Sequence, residues 1–144
     1  MMSTAFDADV LIYAAVPGHP IGARVAALFA DAPAGAVGVG STLLLPEVLT
    51  KPLRLDPDST ETATLLSLLS RLELLPLDEA TARLATSLGA FYAMRAADAA
   101  HLATAVAAGA DRFLTNNRKD FPPTITEIDI VYPDALPAPV AIAE

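Results

Sequence analysis

Two carboxylates interrupt an apolar stretch near the start of the chain, and they constrain the fold more than any other feature. Residues 4–12 read Thr-Ala-Phe-Asp-Ala-Asp-Val-Leu-Ile. The residues before Asp7 suit a short buried strand, and those from Val10 onward suit the start of a helix. Asp7 is therefore predicted at the carboxyl end of a first strand, where open α/β sheets bind their ligands. Because burying an unpaired charge is costly, we interpret Asp7 as a metal ligand to which other acids are brought.

The rest of the chain alternates between predicted strands and predicted helices. Strands are expected at 3–7, 36–40, 74–77, 112–115 and 128–132, and helices at 9–15, 20–31, 43–50, 60–72, 79–89 and 96–108. This alternation predicts an α/β protein with a parallel sheet that is covered by helices on both faces. We expect one domain over residues 1–132, with a loop at 51–58, and a loose Pro- and Ala-rich tail at 133–144.

Composition narrows the class of protein. The chain has 144 residues, 53% of them apolar, which fits a single folded domain. It has no cysteine, which excludes disulfides, thiolate metal sites and a cysteine nucleophile. The net charge of −8 argues against broad attraction to nucleic acid, although acids around a cation are partly neutralised. Since no apolar run is long enough to span a membrane and no signal peptide is apparent, a cytoplasmic protein is expected.

Two further acids share the setting of Asp7. Glu47 lies within Leu-Leu-Leu-Pro-Glu-Val-Leu, and Asp98 lies among alanines at the start of a helix. For Asp98 alone, a first-turn acid favoured by the helix dipole is an equally good explanation. As a set, the three acids each stand alone in apolar sequence at a strand end or a helix start. Such positions share one edge of a parallel sheet, so we expect the three side chains to converge.

A converging set of acids implies a cation. Two carboxylates about 4 Å apart repel each other by about 4 kcal/mol at an effective dielectric constant of about 20. Carboxylates with neither histidine nor thiol suit Mg²⁺ or Mn²⁺. Such ions polarise phosphoryl oxygens and generate hydroxide from bound water, so the chemistry indicated is hydrolysis of a phosphate ester.

Four segments of the sequence are similar to those of a known family. The segments are Phe-Asp7-Ala-Asp9-Val-Leu-Ile, Leu-Pro-Glu47-Val-Leu, Arg-Ala-Ala-Asp98-Ala-Ala-His-Leu-Ala-Thr-Ala and Phe-Leu-Thr115-Asn-Asn117-Arg-Lys-Asp120-Phe. In this order they resemble the PIN-domain ribonucleases, above all the VapC-type toxins of bacterial toxin–antitoxin pairs. The resemblance covers about residues 3–132, and the Asp98 and Thr115 segments are its most specific parts.

The resemblance implies a three-layer α/β/α fold and Mg²⁺- or Mn²⁺-dependent cleavage of RNA. It also implies a homodimer and inhibition by a small antitoxin protein. Carried over by motif, Asp7, Glu47 and Asp98 would be metal ligands, and Thr115 and Asn117 would line the metal site. These five residues form the expected catalytic set. The family often has a fourth acid where this chain has Asn117, which brings no charge and predicts a weak second metal position.

Two other functions remain open from the sequence. Asp7-Ala8-Asp9 superficially resembles the first motif of aspartyl-nucleophile phosphatases, which need a well-placed lysine, and the chain has only Lys51 and Lys119. Asn117 keeps open a catalytically weakened binding module that acts through its partner.

Several other polar residues are interpreted as structural or surface groups, with a site role as the alternative. His19 is expected in an exposed loop and His101 as a packed helix residue. Asp120 is expected to cap a local turn, although it could stand in for the missing acid. Three basic side chains lie near the motifs, and they are interpreted as ordinary surface charges, with contacts to RNA phosphates as the alternative. These residues are Arg95, Arg118 and Lys119.

Overall fold

The computed structural model describes residues 2–139 and contains five strands in one parallel sheet. The strands are β1 (Thr4–Phe6), β2 (Gly38–Ser41), β3 (Leu72–Leu75), β4 (Arg112–Leu114) and β5 (Asp129–Val131). The helices are α1 (Ala8–Ala14), α2 (Pro20–Asp31), α3 (Leu44–Leu55), α4 (Thr60–Ser70), α5 (Glu79–Tyr92) and α6 (Ala96–Ala107). A 3₁₀ turn at Pro133–Ala135 follows β5.

The strand order β3-β2-β1-β4-β5 places β1 in the centre of the sheet. From β1 the chain first builds outward through β2 to β3, and it then returns to the other side of β1 to form β4 and β5. The strand order therefore reverses between β1 and β4, and this is the point where an open parallel sheet leaves a crevice at its carboxyl edge.

Each face of the sheet has its own apolar core. Alternation along β1 sends Phe6 to one face and Ala5 to the other, as the period of a strand requires. Helices α1 to α4 pack on the Phe6 side, and α5 and α6 pack on the Ala5 side. The expected α/β class and its three layers are confirmed.

Three helix boundaries follow the cues in the sequence. Ser59 caps α4 by accepting the amide N–H of Thr62, and Asp78 caps α5 in the same way. Gly109 follows α6 with a left-handed φ of 71°, as expected for a glycine that ends a helix.

Two helices are longer than predicted. The expected loop at 51–58 is wrong over its first part, because α3 continues to Leu55 through Pro52. Val48 and Pro52 are buried one turn apart, so burial of this apolar face offsets the hydrogen bond that the proline cannot make. Helix α5 continues past Gly89 to Tyr92, and Gly89 lies inside this helix where α5 approaches Ala99 of α6.

His19 is partly buried, in contrast to the exposed loop residue expected. Its Nδ1 atom accepts the amide N–H of Gly22 at 3.1 Å and caps α2. Its ring stacks on Tyr13 of α1, with 4.7 Å between the ring centroids. The signal for this cap is Pro20, since proline is favoured at the first position of a helix.

The first part of the expected tail packs against the domain. Leu136 is buried, and Arg24 of α2 donates hydrogen bonds to the carbonyl oxygens of Asp134 and Leu136. Residues 140–144 of the expected tail lie outside the described residues. No helix within residues 2–139 is both long and apolar enough to cross a membrane.

Candidate functional site

The carboxyl edge of the sheet carries a cleft of about 340 Å³ between β1 and its neighbours. Its lining residues are Asp7, Ala8, Asp9, Ile12, Glu47, Asp98 and Asn117. Four of these seven side chains are acids, and they come from α1 and its cap, α3 and α6. Of the five predicted catalytic residues, four line this cleft, and Thr115 lies beneath it.

Asp7 follows β1 directly and caps α1. Its Oδ1 atom accepts the amide N–H of Ala8 at 2.8 Å, and its Oδ2 atom accepts the hydroxyl of Thr115 at 2.7 Å. Asp7 is only 6% exposed, and this burial raises the pKa of its carboxyl group. The carboxylate is thus held by two hydrogen bonds but carries a proton more readily than an exposed aspartate does.

Thr115 follows β4 and is fully buried. Its hydroxyl donates to Asp7 and accepts the amide N–H of Asn117 at 3.1 Å. The side chain therefore orients Asp7 from below, and it is not exposed on the surface of the cleft. The sequence correctly predicted that Thr115 lies at the carboxyl edge of the sheet, but it predicted that Thr115 would line the metal site.

Asp9 also faces the cleft. Its Oδ2 atom accepts the amide N–H of Asn116 at 3.0 Å, which ties the start of α1 to the loop after β4. Its Oδ1 atom is buried and has no hydrogen-bond partner among the described residues. Burial, followed by repulsion from Asp7, raises the pKa of Asp9 to about 7. The resemblance left the role of this residue undefined, because the family often has asparagine there.

Glu47 reaches the cleft from the first turn of α3. Its Oε2 atom lies 3.0 Å from Nε2 of His101, which belongs to α6 on the other face of the sheet. The Glu47 side chain is about one-third exposed, whereas that of His101 is buried. His101 is thus a packed helix residue, as expected, but its partner is Glu47. No local signal could reveal this pair, since its members are 54 residues apart.

Asp98 lies in the first turn of α6, and its side chain is 18% exposed. Its Oδ2 atom is 3.7 Å from Nε of Arg95 and has no hydrogen-bond partner among the described residues. Burial raises the pKa of Asp98, and repulsion from Asp7 raises it further. The guanidinium of Arg95 also contacts Asp120 at 3.2 Å, so it bridges two acids at the rim of the cleft.

Asn117 occupies the position where the family often has an acid. Its Nδ2 atom donates to Oδ2 of Asp120 at 2.8 Å, and its Oδ1 atom accepts the amide N–H of Asp120 at 3.2 Å. Both ends of the amide therefore pair with Asp120. The hydrogen bond from Asn117, together with Arg95, holds the pKa of Asp120 below its usual range. Asp120 closes a local turn, as expected.

The cleft offers oxygen ligands without a finished metal site. No group of three or more His, Cys, Asp or Glu side chains within residues 2–139 is arranged to hold a metal ion as it stands. Two carboxylate oxygens, one on Asp9 and one on Asp98, are nevertheless buried there without a hydrogen-bond partner among the described residues. By contrast, a pocket of about 350 Å³ at the other end of β1 is mainly apolar and has Asp31 as its single acid.

Two of the three basic residues near the motifs, Arg95 and Arg118, have acidic partners within the domain. Arg118 pairs with Asp134 at 2.7 Å and lies over the ring of Tyr132, with 4.2 Å to the ring centroid. Arg95 pairs with acids of the cleft rim, as described above. These contacts favour the interpretation of both residues as structural surface charges.

Comparison with known proteins agrees with this architecture. The sequence model of the family described as "PIN domain" matches residues 5–122, which is more than half of the chain. No curated protein matches the chain. Among solved structures, a chain of a "Toxin-antitoxin complex from Klebsiella pneumoniae" superposes with a TM-score of 0.71. The two sequences are 23% identical, and the match covers 91% of this chain and 98% of the other, which shows a shared fold.

Proposed function

The chain belongs to the PIN domain family, and from this premise we propose that it is a divalent-metal-dependent endoribonuclease that cleaves RNA phosphodiester bonds. PIN domains are generally nucleases, and they generally use divalent metal ions. The observation that carries the proposal is the convergence of Asp7, Glu47 and Asp98 on one cleft at the point where the strand order reverses.

The donor atoms of the cleft suit a hard cation. Asp7, Glu47 and Asp98 would hold Mg²⁺ or Mn²⁺, and all three supply oxygen alone. Mg²⁺ usually keeps several of its waters, so the acids need not form a closed ligand set before the ion binds. When bound, the ion would polarise a phosphodiester oxygen and lower the pKa of a water molecule.

The chain's own residues prepare the site for that chemistry. Thr115 and the amide N–H of Ala8 fix the orientation of the Asp7 carboxylate. Arg95 reduces the repulsion among the acids at the rim, since it lies between Asp98 and Asp120. Asn117 lowers the number of charges in the cleft, because it stands where another carboxylate would add to the repulsion.

A cleavage assay with matched variants tests the proposal. Asp98→Asn should abolish Mn²⁺-dependent cleavage of a single-stranded RNA, and EDTA should abolish the activity of the wild type. Asp31→Asn is the control, because it makes the same charge change in the pocket at the opposite end of β1. Equal activity in wild type and Asp98→Asn would contradict the proposed site.

We further infer that the protein is the toxin of a toxin–antitoxin pair, that it forms a homodimer and that it acts on RNA in the cytoplasm. Support comes from the motif resemblance and from the solved structure, which is described as a toxin–antitoxin complex.

A groove of about 520 Å³ between α1, α3 and α4 shares Ile12 and Glu47 with the acidic cleft. An antitoxin segment lying in this groove would reach the acids and block them. Expression of the wild type should arrest growth, and expression of Asp98→Asn should not.

The contacts of Asn117 favour one alternative. Because residue 117 is asparagine, the cleft has one carboxylate fewer than the family often has. Both ends of the Asn117 amide also pair with Asp120, so a catalytically weakened binding module would fit as well. Tight binding of an antitoxin without RNA cleavage at any divalent metal concentration would support this alternative over the nuclease.

A further inference from the structure

His101 is a buried polar residue whose contacts are not explained by packing alone. It lies three residues after Asp98 in α6, and its side chain is only 1% exposed. Its Nε2 atom is 3.0 Å from Oε2 of Glu47. Its Nδ1 atom is buried and has no hydrogen-bond partner among the described residues. A leucine at this position would avoid the cost of burying an unpaired polar atom.

The chemistry of the pair determines which atom donates. A carboxylate has only acceptor atoms, so the hydrogen between Nε2 and Oε2 belongs to the histidine. His101 therefore carries a proton on Nε2, which it donates to Glu47. Since the imidazole is shut off from the cleft, it cannot touch a substrate.

The side chain of Glu47 is held by its contact with His101, whereas those of Asp7 and Asp9 are held by other donors. Asp7 accepts two hydrogen bonds, and Asp9 accepts one from a backbone amide. The bond to His101 is the one hydrogen bond of the Glu47 side chain within residues 2–139. Glutamate has the longer and more mobile side chain, so without His101 its carboxylate would sample many positions at the rim.

We propose that His101 is a positioning residue, whose Nε2–H holds the Glu47 carboxylate at the cleft in the orientation needed to bind a divalent metal. The inference rests on the proposed function, since Glu47 is a metal ligand only within it. The pair also joins α3 to α6, so it sets the distance between acids that approach the cleft from opposite faces of the sheet.

The test measures Mn²⁺ binding by calorimetry, with the metal alone as the probe. His101→Leu should weaken Mn²⁺ binding by about 10–100-fold, the usual effect of removing a partner that orients a metal ligand. His101→Gln, which keeps an N–H donor, should restore most of the affinity. In a Glu47→Ala background, His101→Leu should cause no further loss.

A purely structural histidine gives a different pattern. Both substitutions would then lower the free energy of unfolding but leave the Mn²⁺ affinity of the folded protein unchanged, and this would overturn the inference. A loss of affinity that persists in the Glu47→Ala background would also overturn it. If His101→Leu does not fold, the comparison of His101→Gln with His101→Asn replaces it, since the asparagine side chain is too short to reach Glu47.

A second measurement separates the inference from the proposed function. The ¹⁵N chemical shifts of the His101 ring in the metal-free protein should identify the Nε2–H tautomer, and Glu47→Ala should change them. If the wild type binds no Mn²⁺, the proposed function fails and with it the metal-positioning role, whereas the ring shifts still decide whether His101 donates to Glu47. A ring with no proton on Nε2 would overturn the inference in either case.

Discussion

Three carboxyl groups of the cleft, those of Asp7, Asp9 and Asp98, have raised pKa values because they are buried. In the metal-free protein they are therefore more often protonated than exposed aspartates at the same pH. A divalent cation would replace these protons and pair with the oxygens that lack partners. Burial of these acids thus lowers the stability of the metal-free protein wherever the carboxyl groups are ionised.

We expect Asp9 to make the free energy of unfolding depend on pH. Its pKa is about 7 in the folded chain against a reference value of 3.8, so the folded state binds the proton more tightly. The contribution is fully present below about pH 4 and is lost as the pH rises through about 7. A shift of this size corresponds to a loss of about 4 kcal/mol.

Urea unfolding in EDTA at several pH values between 4.5 and 8 measures this loss. The free energy of unfolding should fall with rising pH in the wild type and in the control Asp31→Asn. It should fall less in Asp9→Asn. Parallel pH profiles for wild type and Asp9→Asn would show that Asp9 is not the group responsible.

The substitution Asp98→Asn distinguishes between two roles of Asp98, that of a metal-site acid and that of a structural cap of α6. We expect this substitution to abolish cleavage and to leave the metal-free protein equally stable or more stable, because it removes a buried charge near Asp7. Chemical denaturation in EDTA checks this. A drop of several kcal/mol would identify Asp98 as a structural cap of α6 and would contradict the proposed site.

At the scale of the elements, the position of Asp7 depends on the packing of α1 against α2. A Cβ atom added to Gly22 of α2 would lie 1.9 Å from the carbonyl oxygen of Tyr13, so the two helices cross in close contact. Asp7 caps α1, and a displacement of α1 would therefore move the carboxylate at the centre of the cleft.

Gly22→Ala should destabilise the protein by about 1–3 kcal/mol, as overpacking usually does, and should also lower cleavage by the folded enzyme. Gly109→Ala is the matched control. Gly109 has open space around it but a φ of 71°, so its substitution should cost about 1–2 kcal/mol of strain without affecting cleavage. Thermal denaturation and cleavage rates below the melting temperature distinguish the two. Equal loss of cleavage in both variants would show that α1 does not depend on this crossing.

The elements also show what could be predicted from the sequence. The parallel α/β fold and the positions of Asp7, Glu47 and Asp98 followed from local patterns, since a lone charge in apolar sequence is visible without the structure. The length of α3 could not be predicted from local patterns, because the burial of Pro52 in the core overrides the tendency of proline to end a helix. The contact of His101 with Glu47 could not be predicted either, because it depends on how α3 and α6 are placed around the sheet.

At the scale of the whole molecule, the cleft is lined by acids from the helix layers on both faces of the sheet. Glu47 approaches from α3 on one face of the sheet, and Asp98 approaches from α6 on the other. A bound ion would connect both layers through β1. Mn²⁺ at about 100 times its dissociation constant should therefore raise the free energy of unfolding by about 2.7 kcal/mol.

Thermal scans with Mn²⁺ and with EDTA measure this stabilisation. The wild type and Asp31→Asn should melt at a higher temperature with Mn²⁺, and Asp7→Asn should show little change. An equal shift in all three proteins would indicate that Mn²⁺ binds elsewhere on this acidic chain.

The most direct test of the metal centre is a calorimetric titration of Mn²⁺ and Mg²⁺ into the wild type and Asp7→Asn, with RNA cleavage measured at each metal concentration. We predict that the wild type binds the metal, that cleavage rises as the site fills, and that Asp7→Asn loses both. Metal binding that is unchanged in Asp7→Asn, or a wild type that binds no metal at all, would contradict the assignment of this cleft as a nuclease centre.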